Sequence, residues 1–82
     1  MDIQNIYNSI AELSRKIVRE CTARSVKIST AESCTGGMIS GAVTSISGSS
    51  AVIELGVCSY SNRIKHEILH VPAEVLERFT EY

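Results

Sequence analysis

The sequence holds no tryptophan and only four other aromatic side chains, Tyr7, Tyr60, Phe79 and Tyr82, in 82 residues. Any core it builds is therefore aliphatic. It also lacks an excess of either charge: eight Lys and Arg against nine Asp and Glu leave a formal net charge of −1. Binding a polyanion calls for a clustered basic face. Lys16, Arg19, Arg24 and Lys27 are interrupted by Glu12 and Glu20, the pattern of a solvated helix face, so nucleic acid is not an expected partner. No apolar run has spanning length and no stretch reads as a signal peptide, so no membrane partner is expected either. Three cysteines, Cys21, Cys34 and Cys58, form an odd set without metal-type spacing. Reduced thiols and a cytoplasmic location follow as expectations.

What is present is enough for one small domain. Hydrophobic residues make up 44% and charged residues 21%, a globular balance. At this length a single core buries a modest share of the surface, so stability is limited without help. Ile3, Ile6, Tyr7, Ile10, Leu13, Ile17, Val18 and Cys21 recur at helical spacing over residues 3–21, with Asp2 as N-cap. Val26, Ile28 and Thr30 alternate in VKISTA, a short strand. Met38, Ile39, Ala42, Val43 and Ile46 then repeat at helical spacing, with Ser40, Gly41, Thr44 and Ser45 forming a slim side that can approach a sheet closely. SGSS at 47–50 is a turn, and AVIELGVCSY at 51–60 reads as a strand buried on both faces. Ser61 and Asn62 can cap a following helix with Ile64, Ile68 and Leu69 inward. Val71-Pro72 ends it and opens another.

Strand, glycine turn, helix, turn, strand is a βαβ unit, whose strands run parallel. Its consequence is functional. Both strands then end at the same edge of the sheet, where open α/β folds place ligands. STAESCTGGMIS leaves the first strand there, and Tyr60 to Lys65 leave the second. Ser33 can attack a carbonyl if a neighbour takes its proton, and Cys34 can do the same at a helix N-terminus. Free backbone amides and the helix dipole where the helix starts after Gly36-Gly37 suit a phosphate or a developing oxyanion. Tyr60, Asn62 and Lys65 can converge on the serine, with lysine as general base and tyrosine as proton donor or relay. The plainer alternatives are that Ser33 and Thr35 cap the helix and that Lys65 is a solvated helix residue.

A second pattern competes. His66-Glu67-Ile68-Leu69-His70 matches H-E-x-x-H, two histidines on one helix face with a glutamate between them. A zinc site needs a third ligand, and only Glu74, Glu77 and Glu81 follow. The helix is short and ends at a proline. No metal is expected there.

TAESCTGG, then SGSSAV, then YSN with a lysine three residues on and VPAE beyond, resembles the C-terminal family of CinA, the competence-damage-inducible proteins, across about residues 10–80. Members of that family include nicotinamide-nucleotide amidases. The resemblance implies a cytoplasmic bacterial α/β fold, a three-layer α/β/α domain with a mostly parallel sheet. It also implies hydrolysis of the carboxamide of nicotinamide mononucleotide to the nicotinate nucleotide and ammonia, with no cofactor. Residue by residue it points to Ser33 as nucleophile and to Tyr60 and Lys65 as proton-handling partners. Cys34, Thr35, Gly36, Gly37 and Asn62 become substrate-binding. Domains of the family run to about double this length, so residues 1–82 correspond to an N-terminal half. Two expectations follow from that shortfall: missing strands are supplied by further sequence or by other copies in a homo-oligomer, or the chain is a catalytically silent module for interaction.

Overall fold

The computed structural model describes residues 2–79; Glu81 and Tyr82 lie outside that range. Helix α1 spans Ile3–Ala23. Its start is the expected one, with Asp2 accepting from the Gln4 amide at 3.0 Å. Its end uses a left-handed residue without glycine. Ser25 has φ 54°, while Ser25 N–H donates to Thr22 O and Val26 N–H to Cys21 O, a Schellman closure. That closure draws Val26 out of the strand. The first strand, β1, is Ile28–Glu32 rather than 26–31.

Helix α2 is Met38–Thr44, strand β2 is Ile53–Cys58, and a 3-10 turn at Ser49–Ala51 joins them. β1 and β2 pair in parallel, with Thr30 opposite Gly56 and Glu32 opposite Cys58. Helix α2 packs on both strands and against α1. Val18 of α1, Val43 of α2 and Val52 before β2 form the buried core, with Cys21, Ile28, Ile46 and Ile53 partly buried around it. The slim side of α2 is used where Ser40 meets Gly56: a Cβ built on Gly56 would stand 2.5 Å from Ser40 Oγ. Thr30 and Ser40 share a short hydroxyl hydrogen bond at the same point.

Two expectations about burial fail. Side chains alternate along a strand, so with Gly56 against α2 its neighbours Leu55 and Val57 lie on the opposite face. Leu55 is 58% exposed there, so β2 is not buried on both sides. The sheet of the described residues has two strands, too few to be flanked on both edges and covered on both faces. Likewise Ile68 is exposed, because helix α3, Asn62–Glu67, stops before it. Helix α4 is Ala73–Phe79, and Pro72 O accepts from the amides of Val75 and Leu76.

The outcome is a slab. Its Cα extents are 38 × 35 × 15 Å and its radius of gyration is 15.2 Å, against about 12 Å for a compact domain of this length. Much of the α1 stripe stays in solvent, including Ile3, Tyr7 and Leu13. An apolar groove of about 620 Å³ runs between α1 and α2, lined by Ile10, Leu13, Ile17, Thr35, Met38 and Ile39 among others.

Candidate active site

The parallel register brings both strand ends to one edge. Ser33 follows β1 directly and is half-buried; Cys34, Thr35 and Gly36 are exposed. The turn folds on itself through Gly36 N–H to Ser33 O at 3.3 Å and Met38 N–H to Thr35 O at 3.2 Å. It needs two consecutive residues in the left-handed region, Gly36 at φ 62° and Gly37 at φ 92°. L side chains adopt that conformation at a cost, and glycine does not.

From the other strand, Ser59 is buried and its N–H donates to Glu32 O at 2.8 Å. Tyr60 comes next. Its hydroxyl lies 3.7 Å from where Gly36 would carry a Cβ, so the tyrosine reaches across to the serine turn. Ser61 then caps α3, its side chain accepting from the Ile64 amide at 3.2 Å. Asn62 opens that helix and Lys65 stands half-buried one turn later. The structure therefore joins Tyr60 to the glycine turn, and it sets Asn62 and Lys65 on the helix leaving the same edge.

The residue that sequence reasoning passed over is Glu32. It is 5% exposed. Its Oε1 accepts from Thr35 Oγ1 at 2.7 Å and from the Ile39 amide at 2.8 Å; Oε2 accepts from the Ser40 amide at 3.0 Å. Burial alone would raise its pKa. Donation from the Ile39 and Ser40 amides and from the Thr35 and Ser40 side chains outweighs burial and lowers it to about 2. Glu32 thus caps α2, the role that the plainer alternative gave to Ser33 and Thr35; the N-cap position itself, Gly37, offers no side chain. An oxyanion or phosphate at this turn has to find donors other than the amides of Ile39 and Ser40. The signal was the acid in AES-CTGG, a carboxylate at a strand end followed within eight residues by a helix start.

The H-E-x-x-H pattern does not form a two-histidine helix face. Helix α3 ends at Glu67, and His70 has φ 60°. His66 Nδ1 lies 2.8 Å from Val71 O, paired with the loop that leaves the helix. Among the described residues, no three His, Cys, Asp or Glu side chains are grouped to hold a metal ion, and no helix is long and apolar enough to cross a membrane.

Parallel strands, a crossover helix on a glycine turn and a serine at the strand end define an α/β chain with a polar cluster at its sheet edge. The CinA C-terminal domain model matches residues 10–82, and the chain belongs to that family. A CinA-like protein of Colwellia psychrerythraea is 39% identical over 77 residues, which is 94% of this chain and 18% of that protein. One from Anaeromyxobacter sp. strain K is 45% identical over 65 residues, 79% of this chain and 16% of its own length. The crystal structure of a competence/damage-inducible protein from Agrobacterium tumefaciens superposes with a TM-score of 0.83 at 48% identity, covering 85% of this chain and 42% of that one. The chain thus spans less than a fifth of these curated relatives and under half of the solved domain.

Proposed function

We propose that this chain carries the nucleophile-bearing part of an amide hydrolase that converts the carboxamide of nicotinamide mononucleotide to a carboxylate and ammonia. Ser33 Oγ attacks the carboxamide carbon while Lys65, with Tyr60 as relay, takes the hydroxyl proton. The C–N bond breaks as that proton passes to the departing nitrogen, leaving an ester on Ser33. Water then hydrolyses the ester and restores the serine. No metal or cofactor enters this sequence. The observation that carries the reading is the approach of the Tyr60 hydroxyl to the Gly36 position, 3.7 Å, which brings a proton-handling group from just past the end of β2 to the serine turn.

The test is ammonia release from nicotinamide mononucleotide, measured on this chain and on a protein spanning the full solved domain. Ser33→Ala should abolish release, and Cys34→Ala should keep most of it, since the attack is assigned to Ser33 and the neighbouring Cys34 is exposed. Loss in the cysteine variant alone reverses the assignment. No release from either protein would favour a silent interaction module.

A further inference from the structure

Among the described residues, Glu32 is the one charged side chain that is buried, and it touches three elements at once. Its carboxylate receives the Thr35 hydroxyl of the turn and the Ile39 and Ser40 amides of α2. Its main-chain oxygen receives the Ser59 amide from the end of β2. Ser33 is the next residue after this junction, and Tyr60 is the next after Ser59. We infer that Glu32 is a positioning residue, whose side chain and carbonyl together hold the Ser33 turn and Tyr60 at a fixed separation. The geometric part of this inference stands alone; its kinetic part rests on the amide-hydrolase reading.

The chemistry calls for a carboxylate. Four donors, the Ile39 and Ser40 amides and the Thr35 and Ser40 hydroxyls, converge on two oxygens, and none of the partners is an obligate acceptor. Glutamine presents one oxygen and one NH₂ group, so its nitrogen must face an amide N–H of either Ser40 or Ile39. One buried donor then loses its partner, and the turn relaxes to recover it. A displacement of about 1 Å at a reacting group costs on the order of 100-fold in rate.

The experiment compares the full chain with Glu32→Gln and Thr35→Val by NMR and by kinetics. In the wild type, a nuclear Overhauser contact should link the Tyr60 ring to the Gly36 α-protons, and the Ile39 and Ser40 amides should be protected from exchange. In Glu32→Gln that contact should vanish and at least one of the two amides should lose protection. With nicotinamide mononucleotide as substrate, kcat should fall about 10- to 100-fold while KM stays near its wild-type value, since geometry and not binding is lost. Thr35→Val, missing one donor of four, should fall between, and it carries the same readouts if Glu32→Gln does not fold. A retained Tyr60–Gly36 contact, or a loss confined to KM, overturns the inference. No ammonia release from either the wild-type chain or the protein spanning the full solved domain counts against the amide-hydrolase reading alone, and the contact and the exchange rates then decide for Glu32.

Discussion

Gly56→Ala tests whether α2 really rests on the sheet through its small residues. A Cβ at this position would meet Ser40 Oγ at 2.5 Å, Ser40 Cβ at 3.2 Å and Thr30 Oγ1 at 3.3 Å. Comfortable contact begins at about 3.5 Å, so the Ser40 hydroxyl is roughly an ångström too near. Two escapes exist. Rotating Ser40 gives up its hydrogen bond to Thr30, worth about 1 kcal/mol. Withdrawing α2 pulls the Ser40 amide off Glu32 Oε2, now at 3.0 Å. Overpacking of this kind costs about 1–3 kcal/mol, and alanine returns about 0.4–1 kcal/mol by restricting the unfolded chain. The net expectation is a destabilisation of about 1–2 kcal/mol. Urea unfolding followed by circular dichroism, at one fixed protein concentration, should show it as a midpoint lower by about 1–2 M, for a slope near 1 kcal/mol/M. A double-mutant cycle sharpens the point. Ser40→Ala removes the 2.5 Å clash and keeps the 3.2 Å contact, so the double variant should be about 1 kcal/mol more stable than the sum of the singles. An unchanged or raised midpoint in Gly56→Ala would refute the close approach.

Other expectations are as direct. Glu32 titrates near 2 in the folded chain and near 4.3 when unfolded. Between those values the unfolded state binds the extra proton, so this contribution is full above the upper value and drains away as pH falls toward the lower one. Glu32→Gln should therefore flatten the stability curve in that window, and an equally steep acid fall in the variant would show that other carboxylates cause it. Replacing both His66 and His70 by glutamine should change stability by no more than about 1 kcal/mol, the worth of the single bond from His66 to Val71; zinc that copurifies in stoichiometric amount and is lost in the variant would contradict this. The exposed α1 stripe and the open face at Leu55 lead us to expect self-association of the isolated chain. Sedimentation at micromolar concentration should show a dimer or larger species, and a compact, cooperatively unfolding monomer would count against it.

The sequence by itself determined the order of elements and the parallel βαβ unit, because these rest on local periods. The α1 stripe repeats at 3.6 residues, the β1 alternation at two, and the Asp2 and Ser61 caps act within three positions of themselves. Glycines at 36 and 37 announced a turn for the same local reason. Boundaries were less legible: the Ser25 closure that removes Val26 from β1 and the early stop of α3 before Ile68 and His70 depend on backbone angles that composition does not dictate. The tertiary structure decided the rest. Glu32 acquires its role only when α2 folds back over β1 and presents amides seven and eight positions ahead. Ser40 can meet Gly56 only in this crossover. Leu55 and the α1 stripe read as core residues because apolar side chains favour burial, yet burial requires a neighbour. Which side chains are covered is a property of the strands and helices that surround them, and a linear pattern records only the tendency.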